Sequence, residues 1–272
     1  MPKSILSIPD SIRELIRGDA FEAIMHIQGK AFRDVPGRKT IRFELGGRSY
    51  FIKQHVGVGW AEIFKNLLSF KVPIIGAMTE VQAIQKLVEI GIPTTPLVAY
   101  GVQGWNPAFT RSFVMTADLG EIISLEEFCA DWLSTPPAPE LKAVIIKSMA
   151  HLAAKFHGAG LCHRDFYLCH FVMKKTDVEQ ANFNLHLIDL HRVLQRQSPT
   201  GKSVMKDIAG LMFSAMDSGF QSTDWDLFKT HYLPQSAEFW AQVEVRAQKL
   251  HQKFHSAKFQ ERLAQEKSAI NS

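Results

Sequence analysis

With 272 residues, 46 % of them hydrophobic, the chain is long enough for two lobes or one large domain around a sizeable core. Charged residues make up 21 % and the formal net charge is +4, which excludes a largely disordered chain and argues against a nucleic-acid binder, whose charge is more concentrated, while suiting an anionic small substrate or membrane surface. The three cysteines, Cys129, Cys162 and Cys169, form no disulfide framework, and neither a signal-like start nor an apolar run of the roughly 18 residues needed to span a bilayer is visible. A cytoplasmic protein is expected, with peripheral membrane contact left open.

Residues 10–32 read as a helical or mixed start, followed by a cation-rich turn over Arg33–Lys39. Thr40–Leu45 alternates apolar and polar side chains, the period of a strand. Gly46-Gly47 is a two-residue hairpin signal, and Arg48–His55 is the return strand, which carries Lys53 near its end. Trp60–Phe70 is amphipathic. Met78–Ile90 predicts a helix with Val81, Ile84, Leu87 and Val88 on one face, stopped by Gly91 and opened by Glu80. Two strand candidates follow, Thr94–Gly101 and Thr110–Thr116, and beyond them helices over 124–133, 139–159 and most of 202–272. Between those helices lie two short apolar strands ending on aspartates: His163-Arg164-Asp165, and Asp189 twenty-four residues later after Leu185–Ile188.

Two aspartates so placed suit phosphoryl transfer, one orienting a substrate hydroxyl and the other holding a metal on ATP phosphates. Bland explanations compete at each position. Lys53 suits a solvated edge-strand lysine, and Glu80 suits a first helical turn because of the dipole. Asp165 and Asp189 could cap turns. His163, Cys162, Cys169 and His170 invite a zinc reading, but their spacing departs from paired-cysteine patterns.

The order (basic turn, strand lysine, helix glutamate, two strands, helices, His-Arg-Asp, second aspartate) resembles the protein-kinase-like fold. An α+β, bilobal architecture is therefore expected, with a sheet-rich N-lobe over 1–117 and a mainly helical C-lobe over 118–272. Gly37-Arg38-Lys39-Thr40, Tyr50-Phe51-Ile52-Lys53-Gln54-His55, Gly57-Val58-Gly59-Trp60 and His163-Arg164-Asp165-Phe166-Tyr167 are similar to the lipopolysaccharide core heptose(I) kinases of Gram-negative bacteria. This resemblance spans roughly residues 10–255. It implies ATP-dependent phosphorylation of a heptose I hydroxyl on a lipopolysaccharide core or lipid A-core acceptor, at the cytoplasmic face of the inner membrane.

Carried over residue by residue, the resemblance implies that Lys53, held by Glu80, sits on the ATP phosphates, with Gly37, Arg38 and Lys39 as the phosphate loop. Met115 and Ala117 join the cofactor contacts. Asp165 becomes the catalytic aspartate beside Arg164, which would face acceptor carboxylates. Asp189 becomes the Mg²⁺ ligand, and Asp207 the buried helix aspartate that props the catalytic loop.

The chain also departs from the general kinase pattern. The phosphate loop has one glycine, Gly37, so its cations must contribute to the grip. His170 replaces the usual asparagine five residues after the aspartate, which weakens any expectation of a second metal there because imidazole is a poor Mg²⁺ ligand. The Asp-Phe-Gly triplet becomes Asp189-Leu190-His191. Residues 56–77, rich in Trp60, Ile63, Phe64, Leu67, Leu68 and Phe70, read either as a buried insertion or as a surface for an acyl chain, an anionic membrane or an acidic carrier protein. Alternative outcomes are transfer to Kdo, an aminoglycoside or protein tyrosine, and a nucleotide-binding scaffold without turnover. Aromatics interleaved with a basic stripe, as nucleic-acid binding requires, are missing.

Overall fold

A computed structural model of the chain describes residues 4–35, 37–57, 59–60, 76–106, 108–196 and 201–271, with side chains through residue 265. It divides into two compact units, residues 1–120 with 186–193, and residues 121–185 with 194–272.

The first unit is built on a six-stranded antiparallel sheet, ordered β1(Ser4–Ser7), β5(Leu97–Gln103), β6(Arg111–Ala117), β4(Arg48–His55), β3(Arg38–Leu45), β2(Lys30–Val35). The β3–β4 hairpin turns on Gly46 and Gly47, at φ +56° and +72°; both positions demand the left-handed backbone that glycine adopts without a Cβ penalty. Strand alternation then sorts side chains to two faces. Ile41, Phe43, Tyr50, Ile52, Phe113 and Met115 pack against Ile12, Phe21, Ile24 and Met25 from helices α1(Asp10–Arg13) and α2(Ala20–Met25). Ile41, Ile52 and Met115 are fully buried there, each contributing about 1.5–3 kcal/mol of transfer free energy. The opposite face carries Arg38, Thr40, Lys53, His55 and Val114, matched by the registers Arg38↔His55, Thr40↔Lys53 and Lys53↔Val114.

That second face meets α3(Met78–Glu89), whose Glu80, Val81, Ala83, Ile84 and Leu87 are buried, and the segment 186–193. The segment is tied down by Leu187 N–H to the Pro93 carbonyl (2.9 Å) and by the Thr94 hydroxyl to the Leu187 carbonyl (2.6 Å).

Two sequence expectations change here. The stretch Arg33–Val35 belongs to strand β2, and the turn is confined to the neighbourhood of Gly37 (φ +81°). Every residue of β2 is exposed, so no apolar alternation advertises it; it exists through its ladder with β3. Strand β1 is likewise recruited by pairing with β5. The amphipathic stretch over 60–70 lies, beyond Trp60, outside the described residues.

The second unit is mainly helical: α4(Leu125–Phe128), α5(Pro139–Gly158), α6(Lys175–Glu179), α7(Gly201–Ala215), α8(Ser222–His231), α9(Ala237–Phe254) and α10(Ala257–Asn271). Helix α7 packs on α9, and α5 on α8. Strand β7(Ile122–Ser124) pairs with β9(Phe171–Lys174), and β8(Leu161–Cys162) with β11(Leu194–Gln195). Ser124 opens α4 with a reciprocal capping box to Glu127, satisfying two otherwise orphaned donors. Phe156, Phe166 and Phe171 form an aromatic core, with ring centroids 5.8 Å apart (Phe156–Phe166) and 4.8 Å apart (Phe166–Phe171).

Candidate functional site

In the first unit, the sheet register aims Lys53 at α3 and at the segment after β10(His186–Leu187). Its Nζ donates to Glu80 Oε1 at 2.7 Å and to Asp189 Oδ1 at 2.9 Å. Asp189 has φ 60° and ψ 55°, a left-handed conformation that costs a non-glycine residue of order 1 kcal/mol. It is held there by its partners. His191 Nδ1 donates to the same Oδ1 at 2.8 Å, and a short 3₁₀ turn, Leu190–Arg192, packs against α3.

The electrostatics follow from that packing. Loss of water alone would raise the Asp189 carboxyl, but the His191 hydrogen bond and the Lys53 charge outweigh it and hold the group well below the usual carboxylate range. Burial would depress the Lys53 ammonium; Glu80 and Asp189 overcome this and raise it. Arg38 is lowered by burial against the pull of Asp189 and Glu80. His55, on the same face, is pushed down to about 3 by burial and by the cations Arg38, Lys53 and His191, so it is neutral at neutral pH.

Three buried polar atoms in this cluster have no hydrogen-bond partner among the described residues: Arg38 Nε, His55 Nε2 and Glu80 Oε2. Unsatisfied buried polar groups are costly and collect where a ligand completes them. The donor set, two cations beside a carboxylate, fits the phosphates of a nucleotide with a hard divalent ion.

Of the other expected contacts in this unit, Gly37 closes the β2–β3 connection, and its carbonyl accepts from Val56 N–H at 3.1 Å. Lys39 points away from Lys53, because adjacent strand residues alternate faces, and its Nζ pairs with Asp34 at 3.3 Å. Met115 is placed alike: its side chain is fully buried among Ile52 and Phe113 on the face opposite Lys53. Ala117 N–H is engaged by the Pro96 carbonyl at 2.9 Å. The strand register thus places the side chains of Lys39 and Met115 on the face opposite Lys53.

Arg164, Asp165 and His170 belong to the second unit. They sit on the loop after β8, and that loop is shaped by Asp207 from α7. Asp207, 2 % exposed, accepts the backbone N–H of His163 at 2.5 Å and of Arg164 at 2.8 Å, with His157 Nε2 at 3.3 Å. His157 is in turn bonded to the Tyr232 hydroxyl at 2.8 Å. Arg164 adopts φ 73°, a conformation the two bonds to Asp207 hold in place. On the far side of the loop, His170 Nδ1 donates to the Asp165 carbonyl at 2.6 Å, and its ring stacks on His163 at 5.4 Å.

Cys129 and Cys162 are buried, which pushes both thiols up to about 12. Sequence reasoning missed His55 and His191 as members of the charged cluster. The only signal for His191 was its place in the altered Asp-Leu-His triplet, and for His55 its even spacing from Lys53 on one strand.

Comparison with known proteins reaches the same chemistry. The profile of the lipopolysaccharide kinase (Kdo/WaaP) family matches residues 22–232. The lipopolysaccharide core heptose(I) kinase WaaP of Pseudomonas aeruginosa is 40 % identical over 259 residues, covering 91 % of this chain and 96 % of that protein. WaaP of Escherichia coli is 37 % identical, covering 92 % of this chain and 98 % of its own length. A solved structure of WaaP in complex with acyl carrier protein superposes with a TM-score of 0.77 at 35 % identity, covering 92 % of this chain and 99 % of that one. The likeness to that WaaP structure extends to the α+β fold, with its sheet-rich unit and its mainly helical unit.

Proposed function

The chain belongs to the lipopolysaccharide kinase (Kdo/WaaP) family, and from that membership we propose that it transfers the γ-phosphate of ATP to a hydroxyl of heptose I in the lipopolysaccharide inner core. The observation that carries this reading is Lys53 bridging Glu80 and Asp189 beside the unpartnered Arg38 Nε, in a chain so similar to named heptose(I) kinases. Lys53 and Arg38 bind the nucleotide phosphates. Asp189, aligned by His191, is the ligand for Mg²⁺, which when bound neutralises charge developing on the phosphate oxygens. Asp165 accepts a hydrogen bond from the attacking heptose hydroxyl and takes its proton as the new O–P bond forms and the bond to ADP breaks. Arg164 binds anionic groups of the acceptor. His170 braces the Asp165 carbonyl with Nδ1, a loop-holding role in place of metal ligation. Positioning and charge stabilisation supply most of the rate.

Mass spectrometry of purified heptose-containing core incubated with the chain, ATP and Mg²⁺ should find added phosphate, while Kdo-only core stays unmodified. Asp165→Ala should lower turnover on the order of 10²-fold or more with ATP binding retained. Phosphate appearing on the Kdo-only acceptor, or undiminished turnover in Asp165→Ala, contradicts the assignment.

The reading extends to an acyl carrier protein as partner and to peripheral action at the inner membrane. It is supported by the complex solved for WaaP, and by the finding that no helix among the described residues is long and apolar enough to cross a membrane. The apolar stretch expected to carry such a contact, residues 56–77, lies mostly outside the described residues. Phe64→Ser with Leu67→Ser should abolish co-purification with acyl carrier protein and co-sedimentation with anionic vesicles; retention of both in a folded variant contradicts this extension.

A further inference from the structure

The second unit brings together a carboxylate and two imidazoles that the proposed phosphoryl transfer does not use. His251 lies in the last turn of α9 and His255 caps its C-terminus, one turn apart on the same face. Asp217 sits in the turn that follows α7. His251 Nε2 lies 2.8 Å from Asp217 Oδ1, and His255 Nε2 lies 2.9 Å from Oδ2. One ligand atom from each of the three residues falls within 4.8 Å of the other two.

We propose that Asp217, His251 and His255 form a binding site for one divalent transition-metal ion of the zinc class, with water completing the coordination.

Donor chemistry selects the ion. Two imidazoles and one carboxylate suit Zn²⁺ and its neighbours in the transition series; Mg²⁺ and Ca²⁺ prefer all-oxygen shells. The geometry is close to what such an ion needs. Metal–ligand bonds of about 2.0–2.1 Å in a tetrahedron separate the donors by roughly 3.3 Å, so each Nε2 moves a few tenths of an ångström from its nearest carboxylate oxygen, while the widest separation among the three donor atoms, within 4.8 Å, closes towards that value. The rings are pre-set: His251 packs edge-on to Phe213, His255 edge-on to Phe254, and the two imidazoles lie 4.3 Å apart. The scaffold is the packed α7–α9 pair, so ligands 34 and 38 residues apart in sequence need no loop closure on binding.

A plain surface ion pair is the competing account, and it is poorly matched to the arrangement. Charging both histidines would place two cations ring against ring on one exposed carboxylate, and exposed pairs contribute little. A metal ion satisfies both Nε2 atoms and the carboxylate together. In the folded chain, an ion here staples the end of α9 to the turn after α7.

Calorimetric titration of the chelator-stripped full chain with Zn²⁺, without nucleotide, tests the proposal. One equivalent should bind, and Co²⁺ in its place should give visible d–d absorption of a tetrahedral site. His255→Ala and Asp217→Asn, both at exposed positions, should each weaken binding by about tenfold or more and abolish a Zn²⁺-induced rise in Tm seen in the parent. Mg²⁺ should not compete. Binding with parental stoichiometry and affinity in both variants, or neither heat nor a Tm shift in the parent at about 100 µM Zn²⁺, overturns the site.

Discussion

Asp207→Asn is the sharpest test of how the second unit holds its loop. The substitution keeps volume and removes charge. In the parent, one carboxylate oxygen accepts Arg164 N–H and the other accepts His163 N–H, with His157 adjacent, all in a site that water does not reach. An asparagine oxygen satisfies one of the two N–H groups; its NH₂ then faces the other, donor against donor. Losing one charge-assisted bond costs about 1.5–3 kcal/mol, and the stranded buried N–H about 1–3 kcal/mol. Arg164, at φ 73°, also loses part of what holds its left-handed backbone. The sum is on the order of 3–5 kcal/mol, a large share of a typical domain's 5–15 kcal/mol. Urea unfolding near neutral pH should show that drop with an unchanged m-value. Kinetics on the folded fraction should show lower kcat with little change in KM for ATP, since Asp207 holds the backbone of the loop that carries Asp165. A stability change below about 0.5 kcal/mol, within the range of ordinary surface substitutions, would refute the hydrogen-bond accounting.

Two further outcomes are expected. His55 is held neutral with a folded value of about 3, below its ordinary 6.5, so its contribution to stability is complete above 6.5 and is lost as pH falls towards 3. Between about pH 7 and pH 5 that loss is about 2 kcal/mol, and His55→Gln should reduce the measured fall by a similar amount; identical pH slopes for both proteins would exclude His55 as the titrating group. Gly160, at φ +79°, has room for no side chain, because a Cβ there would lie 2.1 Å from the Arg196 carbonyl oxygen. Gly160→Ala should therefore destabilise by about 3 kcal/mol or more, from left-handed strain plus displacement of the β8–β11 connection, read as a fall in Tm of several degrees; a Tm within one or two degrees of the parent would show that the backbone yields there.

Much of the first unit was legible in the chain. Strict alternation in Thr40–Leu45 and Arg48–His55, with Gly46-Gly47 between them, specifies a hairpin because a two-residue turn with both φ positive accepts little else. The 3.6-residue spacing of Val81, Ile84 and Leu87 specifies the helix that carries Glu80. Strands β1 and β2 were invisible, because pairing to a neighbour leaves no period in residues that face water on both sides.

Asp165 and Asp189 could be singled out from order and residue type as suited to phosphoryl transfer, and Lys53 and Asp207 through the resemblance to a kinase-like fold. Which neighbours joined them was decided by the fold. One step of strand register puts Arg38 beside Lys53 and turns Lys39 away to Asp34; the same parity buries Met115 on the opposite face. His191 reached Asp189 only through a left-handed backbone, and Asp217 met His251 and His255 only because α7 and α9 pack together. Periodicity and turn chemistry act between residues close in the chain and so can be read along it. Partners brought together across tens of residues depend on how elements pack, and only the tertiary structure supplies that.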